Sequence, residues 1–337
     1  MKNIKFAVIG CGNIGSKHLA VIDAEKNAEL VSISDINIEK QKYIYKLYNN
    51  VPFFLDYKKM LKKTQADVVN ICTPHNLHAE MAIEVANQKK HILVEKPMAL
   101  STAECKRMID ATKKNGVKLM VVKQNRYNLP IQMLRKVIDE NILGKIFMIK
   151  CNVLWNRCNE YYDKSDWRGK KISEKGALYT QASHFIDLLI WLFGELQDAK
   201  TTIKTMDHNI EIEDCGVSAL EFKNGILGVL TWTNCVYNKN YEGSITIIGK
   251  HGTIKIGGQY LNKIEYWDVK SYPLQENIDF TDKPNLYNKY QGTSSNHDKV
   301  IKDVIAFLSN EKHNIVNGEN GLKTVEAIEF IYSKIHN

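Results

Sequence analysis

Residues 4–15 read Ile4-Lys5-Phe6-Ala7-Val8-Ile9-Gly10-Cys11-Gly12-Asn13-Ile14-Gly15. A short apolar run ends at a glycine, and a G-x-G-x-x-G opens the amphipathic pattern that starts at about Ile14. Gly10 suits a tight turn, Gly12 lets the backbone come close to a pyrophosphate, and Gly15 lets the helix pack closely on the strand. Free N–H groups of Asn13, Ile14 and their neighbours, at the positive end of a helix, would face phosphate. The next strand, Leu30 to Ser34, is closed by Asp35, 20 residues after Gly15. A carboxylate there can accept both ribose hydroxyls. It also repels a 2′-phosphate, and no Arg follows it, only Ile36 and Asn37 with Lys40 a turn later. The spacing predicts a dinucleotide site for NAD rather than NADP. The plainer role for Asp35 is a helix N-cap.

The same rhythm continues outward. Val51–Phe54, Asp67–Cys72, His91–Val94 and Lys118–Val122 read as further strands, with helices such as Ala79–Gln88 and Ser101–Lys114 between them. Ser101 and Glu104 have capping-box spacing. Strand–helix alternation with continuous apolar strands predicts a Rossmann-type, doubly wound parallel sheet. After about Asn125 the pattern changes to a helix, Pro130–Glu140, and long alternating strands, with Asn224-Gly225 as a hairpin turn and one strong helix, Gln181–Phe193. The expected fold is α/β: residues 1–124 bind the dinucleotide, and 125–320 form an α+β substrate and oligomerisation domain with an open, mostly antiparallel sheet. Residues 321–337 form an amphipathic helix that packs back on the first domain.

Composition excludes several classes. At 337 residues, 44% hydrophobic and 25% charged, the chain is globular and long enough for two cores. The net charge of +8 fits a solvated basic surface or a field that draws in anionic ligands. The lysines are scattered, so nucleic acid is not expected as a partner. Seven cysteines, none in a CxxC pair, form neither a disulfide framework nor a zinc set, and no metal is expected. No apolar stretch approaches the ~20 residues of a membrane span. The start runs straight into a strand, so no signal peptide is expected and the cytoplasm is the expected location.

Two segments fall where strands end, the place ligands bind in this architecture. They are Cys72-Thr73-Pro74-His75-Asn76-Leu77-His78 and Glu95-Lys96-Pro97. Beside an oxidised nicotinamide and out of water, the Lys96 ammonium would be destabilised, and the lysine would move a proton near neutral pH. A surface lysine before a turn is the bland alternative. A third segment, Gly176 to Asp187, sets Thr180, Gln181, Ser183 and His184 at the start of an apolar helix, where a satisfied structural histidine is as natural as a catalytic one.

In this order, Gly10 to Gly15, Asp35, Thr73-Pro74 with His78, Glu95-Lys96-Pro97, Trp167-Arg168-Gly169 and the helix bearing His184 resemble the glucose-fructose oxidoreductase / inositol dehydrogenase / MocA family. The resemblance covers essentially the whole chain. It implies that Lys96 and His184 flank the substrate, that Lys96–Pro97 is a cis peptide, and that Glu95, Lys96, Gln124, Trp167 and Arg168 join the cofactor residues. The segments Val122 to Arg126, Trp155-Asn156-Arg157 with Glu160 to Asp163, Gln181 to His184 and Asn240 to Ser244 are similar to the WlbA-type enzymes of O-antigen synthesis. Those enzymes oxidise UDP-2-acetamido-2-deoxy-glucuronate at C3, hold NAD tightly and in some cases regenerate it with 2-oxoglutarate. The resemblance thus implies a UDP-sugar substrate, 2-oxoglutarate as a possible acceptor, and a homo-oligomer, dimer or tetramer. Asn125, Arg126, Arg157, Tyr162, Gln181 and Ser183 become candidates for the sugar, its carboxylate and the diphosphate, arginine being suited to bidentate capture of such oxygens.

Two departures stand out. Thr180 occupies a position where many members have Asp and the UDP-sugar branch Asn, and a hydroxyl is no general base at neutral pH. The proton work then falls to Lys96, with His184 orienting the hydroxyl or acting as the alternate base. Lys175 stands where a Gly-Gly pair is usual, which bears on the shape of that loop. Other readings of the same motifs are a dehydrogenase or reductase of another sugar or cyclitol, an NAD-dependent glycosidase, and a non-catalytic NAD-binding protein.

Overall fold

The computed structural model describes residues 3–274, 284–287 and 290–335. Residues 1–2 and 336–337, the outermost parts of the expected first and last segments, lie outside them. The chain divides into two compact units, Met1–Lys123 with His297–Val325, and Gln124–Asn296 with Glu326–Asn337.

In the first unit, strands β1 (Ile4–Ile9), β2 (Ala28–Ser34), β3 (Phe53–Phe54), β4 (Val68–Ile71), β5 (His91–Val94) and β6 (Leu119–Val121) alternate with helices α1 (Asn13–Ala24), α2 (Glu39–Leu47), α3 (Tyr57–Lys63), α4 (His78–Asn87) and α5 (Thr102–Asn115). The six strands are parallel, in the order β6-β5-β4-β1-β2-β3. The order reverses at β1, and the crevice beyond the carboxyl ends of β1 and β4 is where such sheets bind ligands. Phe6, Val8, Val68, Val69, Ile92 and Leu93 are fully buried, as strands covered by helices on both faces must be. Ser101 caps α5 through the Glu104 N–H, while Glu104 accepts from the Leu100 N–H.

The second unit begins with α6 (Leu129–Asp139) and β7 (Ile146–Leu154), followed by the short helices α7 (Asn159–Asp163) and α8 (Ala177–Thr180) and the longer α9 (Ser183–Phe193). Strands β8 (Leu196–Lys204), β9 (Cys215–Phe222), β10 (Leu227–Thr233), β11 (Glu242–Gly249), β12 (Gly252–Gly257) and β13 (Lys263–Val269) complete a sheet in the order β13-β12-β11-β7-β10-β9-β8. Only the β7–β10 pair is parallel; the others are antiparallel. Gly225, in left-handed backbone at φ +81°, closes the β9–β10 hairpin where Asn224-Gly225 predicts it. On one face Leu227, Met148 and Ile248 stand in a row and are exposed. A small hairpin, β14 (Pro284–Tyr287) with β15 (Tyr290–Ser294), stands apart from this sheet.

Two boundaries differ from the expectation. Residues 297–320, read as part of the second domain, group with the first unit. Helix α10 (His297–Leu308) packs on α1, and β16 (Val316–Asn317) adds an antiparallel edge to β6. The last helix, α11 (Gly318–Ser333), is divided by the unit boundary after Val325. The helix expected over Gln181–Phe193 starts at Ser183, because Gln181 and Ala182 break it from α8.

Candidate active site

In the first unit the phosphate turn is built from backbone. Gly10 has φ +91°, and a side chain there would sit 2.7 Å from the Cys72 carbonyl oxygen. A side chain on Gly15 would lie 1.8 Å from the Gly10 carbonyl. Over Gly12 the space is open to at least 4 Å, and no side chain caps the N-terminus of α1. Asp35 ends β2, buried, with Oδ2 accepting from the Cys11 N–H (2.7 Å) and from Lys40 Nζ (2.9 Å), and Oδ1 from the Asn37 N–H (2.9 Å). It does not cap α2: the Glu39 N–H goes to Asn37 Oδ1 instead. An open glycine cradle, an uncapped helix end and a fixed carboxylate fit the phosphates and ribose of NAD.

Thr73 and Pro74 follow β4, and Lys96 follows β5, with the Lys96–Pro97 peptide cis. His78 corrects one expectation. It is fully buried, with Nδ1 2.8 Å from the Pro97 carbonyl and Nε2 2.9 Å from the Thr73 carbonyl. Burial outweighs those carbonyls and lowers its pKa. Each ring nitrogen faces a carbonyl of one ligand-end loop, the single N–H of the neutral ring donating to one of the two, so neither nitrogen faces a cofactor.

Glu95 is likewise internal. Its Oε2 accepts the Lys96 N–H at 3.2 Å, and its Oε1 lies 2.8 Å from His18 Nε2 and 3.4 Å from His297 Nε2. Burial pushes this carboxyl up, but the two imidazoles outweigh burial and hold it well below the usual carboxylate range. His18 and His297 were not among the candidates read from the sequence. The available signal was a histidine on the buried stripe of α1, with Gly15, Leu19 and Ile22.

In the second unit the 3₁₀ turn Gln124–Tyr127 meets the start of α9, where Gln124 Nε2 donates to His184 Nε2 at 3.3 Å. The Asn125 amide is 2% exposed, and neither its oxygen nor its nitrogen has a hydrogen-bond partner among the described residues. The buried Ser183 Oγ is in the same condition. Buried polar groups are normally paired, so these two point to a missing polar partner.

Four anticipated substrate contacts have partners inside the unit. Arg126 makes a two-pronged ion pair with Asp187 (2.8 and 2.9 Å) and lies over Trp191. Arg157 is buried, donating to Gln181 Oε1 (3.0 Å) and Asn240 Oδ1 (3.2 Å), while Gln181 Nε2 donates to Tyr161 Oη. Tyr162 Oη accepts from Asn234 Nδ2, and burial pushes its pKa up. These groups shape the walls around α8 and α9. As an anion receptor Arg126 is corrected to a framework residue, since its guanidinium already faces the Asp187 carboxylate, whereas Gln181 Oε1 and Asn240 Oδ1, which accept from Arg157, are neutral amide oxygens.

Arg168 stacks on Tyr161 (4.0 Å) and Trp167 (5.2 Å), in a loop braced by Glu174 at the Gly169 N–H. Lys175 has φ +66°, a left-handed backbone that favours glycine, and its Nζ reaches Glu329 at 3.4 Å. The loop therefore keeps the glycine-like turn with a lysine in it. Thr180 is buried at the end of α8. Glu213, another group absent from the sequence reading, accepts from the Ala177 N–H (2.9 Å) and Tyr332 Oη (2.5 Å) at the start of α8. Among the described residues no helix is long and apolar enough to cross a membrane.

Comparison with known proteins places the chain. A profile for the NAD-binding Rossmann fold of the GFO_IDH_MocA oxidoreductases matches residues 4–123, and one for their C-terminal alpha/beta domain matches 135–337. The chain belongs to the Gfo/Idh/MocA oxidoreductase family. As a member it is an oxidoreductase with NAD as its cofactor. This Gfo/Idh/MocA chain is similar to the WlbA dehydrogenase of Bordetella pertussis, solved with NADH and UDP-GlcNAcA. They are 36% identical with a TM-score of 0.89, over 99% of this chain and 96% of that one. The WlbA dehydrogenase of Chromobacterium violaceum, in the same kind of complex, is 33% identical with a TM-score of 0.90, over 99% and 94%. Glucose-6-phosphate 3-dehydrogenase of Bacillus subtilis is 26% identical over 99% of this chain and 97% of its own.

Proposed function

We propose that this oxidoreductase oxidises the C3 hydroxyl of UDP-2-acetamido-2-deoxy-D-glucuronate to the 3-keto sugar, a step of O-antigen and lipopolysaccharide sugar synthesis. The observation that carries the reading is the 36% identity, over 99% of the chain, to a WlbA dehydrogenase complexed with NADH and UDP-GlcNAcA. Bound NAD supplies the hydride acceptor. The phosphate turn at Gly10, Gly12 and Gly15 holds the dinucleotide, with Asp35 on a ribose. Lys96 Nζ takes the hydroxyl proton as hydride leaves C3. His184 orients that hydroxyl, its ring steadied by Gln124. Asn125 and Ser183 bind the sugar, a role supported by their unpaired, buried polar atoms. Trp167 and Arg168 flank the cofactor, and Thr180 serves as a hydrogen-bonding group only.

The test incubates the purified protein with UDP-N-acetyl-glucosaminuronate, with and without 2-oxoglutarate, and follows NADH absorbance together with the mass of the sugar. Loss of two hydrogens from the sugar is the expected product, and turnover that requires 2-oxoglutarate marks that compound as the recycling acceptor. A sugar of unchanged mass, with NAD bound, rejects this substrate. The similarity to a glucose-6-phosphate 3-dehydrogenase favours a second reading, oxidation of another sugar or cyclitol. A glycosidase of the same fold is distinguished by cleaved sugar without net NADH. We also propose a homo-oligomer, dimer or tetramer, that covers the exposed Met148, Leu227 and Ile248 row. Met148→Glu should lower the sedimenting mass; an unchanged mass rules that face out.

A further inference from the structure

Four polar side chains of the first unit meet in its interior from well-separated parts of the chain: His18 on α1, Asn70 on β4, Glu95 after β5 and His297 at the start of α10. All four are buried. The Asn70 amide nitrogen lies 2.9 Å from His18 Nδ1. With the amide NH₂ on this side, Nδ1 accepts and the N–H sits on Nε2. That N–H points at Glu95 Oε1, 2.8 Å away. The His297 ring meets His18 edge-on at 5.3 Å and brings a second nitrogen to 3.4 Å from the same oxygen. The other oxygen of Glu95 accepts the backbone N–H of Lys96. One carboxylate thus joins α1, whose N-terminus forms the phosphate turn, to the peptide that carries Lys96.

We propose that Asn70, His18 and His297 form a buried positioning relay that holds the Glu95 carboxylate against the Lys96 amide and so sets the placement and proton affinity of Lys96. The inference rests on the assignment of Lys96 as the base. The relay accounts for a costly arrangement: a buried anion persists only when it is compensated, and here the His18 N–H and the Lys96 amide donate to it while the His297 ring lies 3.4 Å away. Cys72 and His78 also feel the Glu95 charge, His78 feels that of Lys96, and His297 feels those of His18 and Lys17. The Glu95 charge favours the ammonium form of its neighbour Lys96. Losing the donors lets Glu95 take up a proton, which removes that charge and frees the Lys96 peptide to shift.

The experiment compares His18→Leu with His18→Gln in the NAD-loaded protein, since only Gln restores an N–H donor. The proton affinity of Lys96 is read without any sugar, by trace acetic-anhydride labelling across pH and mass analysis of the Lys96 peptide. For His18→Leu the labelling midpoint should move to lower pH, by about one unit. Sugar turnover should fall by about tenfold to a hundredfold, with KM and NAD affinity little changed. His18→Gln should recover most of both. If Leu and Gln behave alike, the histidine only fills space and the relay is overturned. Should His18→Leu not fold, the His297→Leu and His297→Gln pair makes the same comparison. A Lys96→Met protein with full turnover overturns the base assignment instead, and leaves the labelling result as the independent measure of the relay.

Discussion

Glu95 in the first unit and Glu213 in the second are both 5% exposed, yet burial prevails over only one of them. Glu95 faces two imidazoles and a backbone N–H and stays far below the ordinary range. Glu213 has a tyrosine hydroxyl and a backbone N–H as neutral donors, and burial lifts it to about 7. The difference teaches that burial alone does not set the charge of an interior carboxyl; the kind of donor the fold brings to it does. Each unit also leaves buried polar atoms open. In the first, Asn70 Oδ1 and His297 Nδ1 have no hydrogen-bond partner among the described residues. The second contains both a closed pair, Arg126 with Asp187, and open groups, Asn125 and Ser183.

The largest effect that tests this contrast is catalytic. Lys96→Met should cost about 10²–10⁴-fold in turnover while NAD affinity stays near native, measured by steady-state rates and titration of the cofactor. Equal loss of NAD binding would mean that Lys96 belongs to the cofactor's hold rather than to proton transfer. Next is the closed pair of the second unit. Arg126→Met strands a buried Asp187 and should destabilise by about 3–5 kcal/mol in denaturant unfolding. A change under about 1 kcal/mol would show that this pair is as weak as a surface one.

The third concerns Glu213 directly. Its folded pKa of about 7 lies above the ordinary 4.5, so its contribution to stability is complete below pH 4.5, declines from 4.5 to 7 and is lost above 7. Glu213→Gln should remove that decline, leaving the variant roughly 3 kcal/mol more stable at pH 8 than at pH 4 when each is referenced to the parent. A parallel pair of stability curves would put Glu213 in the same charge state as Glu95 and erase the contrast. The smallest effect is at Lys175. Lys175→Gly relieves left-handed strain but gives up the Glu329 contact, for a net gain of about 1 kcal/mol or less in thermal unfolding.

Much of the architecture is legible in local pattern. The apolar run into Gly10 and Gly15, the carboxylate at Asp35 and the Asn224-Gly225 turn act within one strand–turn unit, where spacing and backbone sterics decide the outcome. Lys96 and His184 stand at the end and start of elements, but it was the family resemblance that singled them out. What surrounds them could not be read from either. Arg126 and Asp187 are 61 positions apart, and only their meeting turns an apparent anion receptor into a framework pair. His78 looked like a ligand residue until both its nitrogens were seen on backbone carbonyls.

The strand–helix alternation, the glycine cradle and the choice of Asp35 over a basic residue follow from the sequence itself, because local geometry and charge type suffice to specify them. The assignment of residues 297–325 to the first unit, the break between α8 and α9, and the opposite fates of Glu95 and Glu213 were decided only by tertiary structure. A buried group's charge and bonds depend on which donors the fold brings to it, and residues such as 18, 70 and 297 carry no trace of one another along the chain.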